Sequence, residues 1–251
     1  MRLMDLSNVE LIRRLAGPPM RRLMGSLTHV ETTEHVAALT FDDGPDPEAT
    51  PRLLKILERH DARGTFFMLG EHAATQRGLV RRMAEAGHAI GNHTWDHPSF
   101  PFISSRERRR QIRACAEAVT PFGRQLFRPP YGEQSLASRL DLLLMGYDVI
   151  LFNREVGDWC EPNAEAMARA LVHWVRPGDI VCLHDALYWH RSNALVPKLT
   201  AQPHVDRGAM LSALERYLDH VDGRLRFVTV PELLKRGRPC WVNWYRITPP
   251  E

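Results

Sequence analysis

The chain has few cysteines, and they are not arranged to cross-link or to form a cluster. Cys115, Cys160, Cys182 and Cys240 lie far apart, and no C-x-x-C occurs. That excludes a zinc ribbon or a disulfide framework, and points to buried free thiols in a reducing compartment. Long apolar runs are also missing. Stretches such as Leu142–Met145 and Ile180–Leu183 are the size of core elements, well short of the roughly 18 residues of a membrane span. Neither sign of charge dominates: 33 basic against 30 acidic residues leave +3, too little to argue for a nucleic-acid partner. Met1–Asp5 is followed by polar Ser7, Asn8 and Glu10, with no apolar h-region and no small-residue cleavage site. The expectation is a cytoplasmic protein, with a secreted or periplasmic one left open if a leader has been lost. There is no fixed-period repeat and no low-complexity tract.

What is present suits one large domain. The 251 residues are 44% hydrophobic and 25% charged, enough to bury a core without staples. Leu3, Leu6, Leu11, Ile12 and Leu15 recur at helical spacing beside Arg13 and Arg14, and Gly17-Pro18-Pro19 ends that segment. It reads as an amphipathic helix docked on the domain or, alternatively, as a membrane-surface contact through residues 1–22. From Val36 onward, strands and helices alternate. Strands are expected at Val36–Phe41, Gly64–Leu69, His88–His93, Gln125–Arg128, Asp148–Asn153, Ile180–His184 and Arg226–Thr229. Helices are expected at Thr50–His60 (with Thr50 as N-cap), Leu79–Ala86, Arg106–Val119, Ser135–Met145, Asn163–Val175 and Ala209–His220. Such alternation implies parallel βαβ units. Their number favours an α/β fold, a distorted and incomplete (β/α) barrel of about seven parallel strands. The expected organisation is an N-terminal extension (1–35), a main domain (36–235) and a tail (236–251) packed against it. The tail carries Trp241, Trp244 and Tyr245.

Ionisable residues gather where strands end, which is where barrels of this kind build their sites. Asp42 and Asp43 close the first strand. His93 closes the third, with His97 four residues on, one turn away if that stretch is helical. Arg128 follows the fourth strand in a stiff Pro-Pro loop, Asp158 lies beyond the fifth, and His184 ends the sixth. Two imidazoles and a carboxylate suit a divalent metal with an open position for water. One of two adjacent aspartates can ligate while the other takes a proton. A fixed guanidinium keeps a neighbouring carboxylate ionised. Each signal also has a bland explanation: surface histidines, an Asp capping the turn before Gly44-Pro45, a surface arginine, a core histidine. The basic run Arg106–Arg113 reads as a solvated helix face.

Taken in order, the pieces resemble the polysaccharide deacetylase family (the NodB-homology domain, carbohydrate esterase family four). They are T-F-D-D-G-P at Thr40–Pro45, H-T-x-x-H at His93–His97, R-P-P-Y-G at Arg128–Gly132, D-W at Asp158-Trp159 and L-H-D at Leu183–Asp185. The resemblance implies a metal-dependent N-deacetylase for an N-acetylamino sugar in a carbohydrate substrate. The alternatives are an O-acetyl esterase or other amidohydrolase and, less favoured, a non-catalytic sugar-binding protein. It further implies that Asp43, His93 and His97 hold one divalent ion, usually Zn²⁺, with Co²⁺, Ni²⁺ and Mn²⁺ as alternatives. Asp42 would be the base, Arg128 its orienting partner, His184 the acid and Asp158 its tuner. Trp159 and Leu183 would line the acetyl pocket, and the Tyr131 N–H would hold the oxyanion. The sequence departs from the family at Glu155, where Asp is usual, and at Phe152. The long stretch Ala186–Arg207 reads as a lid or a substrate-reading loop. Oligomeric state is not legible.

Overall fold

The computed structural model describes residues 24–188 and 205–242. In chain order its elements are β1 (Ser26–Glu31), β2 (Val36–Asp42), α1 (Ala49–Arg59), β3 (Thr65–Met68), α2 (Gly70–Thr75), α3 (Arg77–Glu85), β4 (Ala89–Asn92), α4 (Ser105–Ala118), β5 (Gly123–Phe127), α5 (Leu136–Leu144), β6 (Asp148–Val149), β7 (Arg154–Glu155), α6 (Ala164–Trp174), β8 (Ile180–His184), α7 (Gly208–Val221), β9 (Arg226–Phe227), α8 (Val230–Leu233) and β10 (Arg238–Val242). The parallel sheet runs β6-β5-β4-β3-β2-β8-β7, with β9 paired to the start of β2. It curls into a half-barrel.

The two-residue period of a strand decides which side chains face inward. On β2, Val36 and Ala38 join Leu27, Phe67, Ile150 and Ile180 in the barrel interior. Thr40 and Asp42 continue that inward face. Ala37, Leu39 and Phe41 pack instead with Leu53, Leu57, Leu211 and Leu214 of the surrounding helices. Every residue of β2 is buried, as a central parallel strand requires.

β1 and β10 form a separate antiparallel pair. It fills the open side of the half-barrel: Leu27 bridges to Ile150, His29 bridges to Asp179, and the Leu151 N–H donates to the Leu27 carbonyl at 2.7 Å. Leu27 and Val30 are 0% and 1% exposed. This segment, read as part of the N-terminal extension, is therefore integral to the barrel core. Serine, threonine, histidine and glutamate among six residues hid the strand.

Four local expectations are corrected. Thr50 is not the cap of α1. The Asp46 carboxylate accepts from the Glu48 and Ala49 N–H groups at 2.8 and 2.6 Å, while the Thr50 hydroxyl donates to buried Asp185. The strand expected over Asp148–Asn153 forms only at Asp148–Val149 (β6), because the Ile150 and Leu151 carbonyls accept from the Arg128 guanidinium at 3.1 and 3.0 Å, and β7 begins beyond it at Arg154. Not all thiols are buried: Cys115 and Cys182 are, Cys160 is exposed and Cys240 is intermediate. On α4, Arg108 and Arg109 both reach Asp141 at 2.7 Å, so part of the basic run is engaged within the protein. Among the described residues no helix is long and apolar enough to cross a membrane. The helix expected over 3–15, most of the 186–207 loop, and Trp244 with Tyr245 lie outside the described residues.

Candidate metal centre and active site

The centre lies at the carboxyl ends of β2, β4, β5 and β8. Asp43 follows β2 with φ 72°, in the left-handed region. That ends the regular strand geometry after Asp42, and Asp42 and Asp43 face different partners. Thr94, His97 and Tyr131 also have positive φ, at 75°, 62° and 57°. Each such non-glycine residue costs of the order of 1–3 kcal/mol, and strain of this kind gathers at functional sites. The His93–His97 stretch is therefore not a helical turn. A tight loop holds it: Asn92 Oδ1 accepts from the Thr94 N–H at 2.9 Å, and Thr94 Oγ1 accepts from the His97 N–H at 3.1 Å.

This loop brings both imidazoles to one carboxylate oxygen. Asp43 Oδ1 is 3.4 Å from His93 Nε2 and 3.4 Å from His97 Nε2. All three residues are at least 95% buried, and Asp43 Oδ1 has no hydrogen-bond partner among the described residues. Burial works to raise the Asp43 pKa, but His97 and His93 outweigh it and hold the carboxylate ionised. The geometry passes a simple test. Two ligand atoms on a tetrahedral zinc, at about 2.0–2.2 Å each, stand roughly 3.3–3.6 Å apart. The remaining contacts orient the ligands. His93 Nδ1 donates to the Arg128 carbonyl at 2.8 Å, which leaves Nε2 as the lone-pair nitrogen. The Tyr188 N–H donates to Asp43 Oδ2 at 3.0 Å, so Oδ1 is the oxygen turned to the histidines.

Asp42 belongs to a second network. Its Oδ1 accepts from Arg128 Nη1 at 2.7 Å, and the same nitrogen donates to Thr40 Oγ1 at 2.8 Å. Arg128 is 1% exposed, with its guanidinium carbon 4.2 Å from the Phe67 ring centroid. The Cys182 thiol lies 3.6 Å from Asp42 Oδ2. Opposite stands His184. Its Nδ1 meets Asp158 Oδ1 at 3.0 Å, and its backbone N–H donates to Asp158 Oδ2 at 2.9 Å. Burial works against a charged imidazole here, but Asp158, Asp43 and Asp42 overcome it and raise the His184 pKa to about 9.

The other substrate-side candidates are placed unequally. The Tyr131 ring sits edge-on to His97 with centroids 4.4 Å apart. Trp159 is half exposed, and its indole N–H donates to Glu155 Oε1 at 3.2 Å, so the unusual Glu155 holds the tryptophan. Leu183 differs: it is 1% exposed and packs with Val181 in the helix-facing core, on the opposite face of β8 from Cys182 and His184. The structure does not bring it to the polar cluster, because strand alternation turns it away.

Two contributors were missed by sequence reasoning. Buried Arg207 donates to the Asp158 carbonyl at 3.0 Å and the His184 carbonyl at 3.1 Å, and forms an ion pair with the Asp158 carboxylate. Asp185 is fully buried against Gly44, where a methyl group added at the glycine would come within 2.2 Å of its Oδ2. No local pattern announced Arg207; Asp185 was visible only as the last residue of the L-H-D motif, with no role attached.

A curled parallel barrel with a two-histidine, one-carboxylate centre at its strand ends has the make-up of a metal-dependent hydrolase. The polysaccharide deacetylase family model matches residues 29–150. A peptidoglycan-N-acetylglucosamine deacetylase of Bacillus cereus is 33% identical over 211 residues, which cover 82% of this chain and 91% of the relative. The peptidoglycan-N-acetylglucosamine deacetylase PgdA of Listeria monocytogenes is 33% identical over 75% of this chain but 42% of its own length, so the chain spans less than half of that protein. Among solved structures, the Bc1960 peptidoglycan N-acetylglucosamine deacetylase superposes with a TM-score of 0.74 at 26% identity, covering 93% of this chain and 98% of that one. The chain belongs to the polysaccharide deacetylase family.

Proposed function

We propose that the protein is a metal-dependent N-deacetylase that hydrolyses the acetamido group of an N-acetylamino sugar to a free amine and acetate. One observation carries this reading: buried Asp43 Oδ1 stands 3.4 Å from both His93 Nε2 and His97 Nε2. Asp43, His93 and His97 would hold the ion, with zinc the first candidate. When bound, a divalent ion polarises the acetyl carbonyl and lowers the pKa of its water, in the best sites toward ~7.

The side chains divide the proton work. Asp42, aimed by Arg128 at 2.7 Å, takes the proton of the attacking water. His184 enters protonated, favoured by Asp158, and gives its proton to the sugar nitrogen as the C–N bond breaks. Arg207 holds the Asp158 carboxylate in place. The Tyr131 N–H donates to the oxyanion. Trp159, steadied by Glu155, forms a wall of the acetyl pocket, while Leu183 supports β8 from behind. The names of the relatives support an N-acetylglucosamine-containing glycan as substrate.

The test is mass spectrometry after incubating zinc-loaded protein with peptidoglycan fragments, chitooligosaccharides, lipid-linked and nucleotide sugars, and O-acetylated sugars. Loss of one acetyl group from N-acetylated members is expected. Loss confined to O-acetylated sugars would make the protein an esterase. In Asp42→Asn, turnover should fall roughly 10²–10⁴-fold with metal retained. No acetate from any member of the panel, or full turnover in Asp42→Asn, would overturn the reading.

A further inference from the structure

The strand pair that closes the barrel carries a second set of metal-ligand side chains, remote in role from the first. His29 and Cys240 are partners in the β1–β10 register, and Glu31 lies two residues along β1, on the same face as His29. One ligand atom from each of the three lies within 4.8 Å of the others. Cys240 Sγ is 3.4 Å from Glu31 Oε1, close to the roughly 3.6 Å that separates a sulfur and an oxygen on one tetrahedral zinc. The other carboxylate oxygen, Oε2, is held by Arg238, which fixes the direction of Oε1. Thr28 Oγ1 meets His29 Nδ1 at 3.1 Å and steadies the ring. The strand that carries two of these ligands is part of the barrel itself, since β1 joins the β6 side to the β8 side.

We propose that His29, Glu31 and Cys240 form a second divalent-cation site, suited to zinc, which fastens β1 to β10 and so locks the open side of the half-barrel. An imidazole nitrogen, a carboxylate oxygen and a thiolate sulfur make a borderline donor set that selects zinc or cobalt over magnesium or calcium. Three protein ligands leave one position for water. Binding releases the Cys240 thiol proton to solvent, so the site tightens as pH rises. The site does not depend on the deacetylase reading.

Cobalt(II) separates the two centres by colour, because a thiolate ligand gives a near-ultraviolet charge-transfer band and the Asp43–His93–His97 set contains no sulfur. Full-length protein, and a Cys160→Ser version that removes the exposed thiol, are titrated with cobalt or zinc alone. The expected result is about two equivalents bound per chain with the charge-transfer band present. Cys240→Ser should bind one equivalent without the band. His97→Ala should keep the band, and zinc should still raise its melting temperature, an increase lost in His97→Ala/Cys240→Ser. A single equivalent without a band, or a band that survives in Cys240→Ser, overturns the proposal. Loss of acetate release with the band intact would count against the deacetylase reading alone.

Discussion

The two ligand clusters differ in what holds them in place. Asp43, His93 and His97 come from distant loops, are at least 95% buried, and are set by left-handed backbone and by hydrogen bonds around the ligands. His29, Glu31 and Cys240 are partly exposed and are placed by strand register, with Arg238 and Thr28 as side-chain supports. The first is preorganised by the fold and can spend its ion on chemistry. The second stands on a two-stranded ladder with partly exposed ligands, so there an ion would do the organising. The same contrast runs through the ion pairs. Arg128–Asp42 has side chains 1% and 5% exposed, whereas Arg238–Glu31 has side chains 73% and 53% exposed.

The largest effect expected from breaking this contrast is at Arg128. Arg128→Met should cost about 3–5 kcal/mol in denaturant unfolding, since it leaves the Asp42 carboxylate buried without a counter-charge. Next comes Gly44→Ala. Its added carbon would sit 2.2 Å from Asp185 Oδ2, with backbone on both sides fixed by the centre. A loss of about 1–3 kcal/mol by thermal or denaturant unfolding is expected.

The His184 pair should show in pH profiles. Its folded-state pKa is raised from 6.5 to about 9, so its contribution to stability is complete below 6.5 and fades as pH rises through about 9. Unfolding midpoints measured from about pH 6 to about pH 10 check this. If His184 is the acid, the alkaline limb of turnover follows the same group, and a bound cation moves that limb down. Asp158→Asn should move it to lower pH. Arg207→Met removes a positive charge from the same cluster and should move it to higher pH, with kcat reduced by about tenfold or more. Equal shifts of the same sign in both variants would refute the assignment. The smallest effect belongs to Arg238→Ala, which should leave the metal-free melting temperature unchanged.

Strand and helix succession was legible because buried parallel strands are near-continuous apolar runs, and helices carry caps and glycine stops. β8 was read to the residue, and the helix expected from Ser135 begins one residue later, with Ser135 as its cap in a capping box. The residues that converge on Asp43 were legible because His93 stands at a strand end and His97 follows it at a ligand-like spacing of four. Where reading failed, a distant partner had taken over a local group. Asp185 drew Thr50 away from capping, and Arg128 drew two carbonyls out of a strand. Arg207 gave no signal, since an arginine before a helix is ordinary until it meets Asp158.

By itself, the order of residues determined the half-barrel's succession of elements and which chemical groups stand at their ends. Those are matters of short-range period and composition. The folded structure alone decided that Leu183 turns to the helices, that His93 and His97 meet through left-handed turns, that Arg207 braces Asp158, and that the first and last described strands pair. Each of those depends on contacts between residues far apart in the chain, and such contacts exist only once the barrel has closed around them.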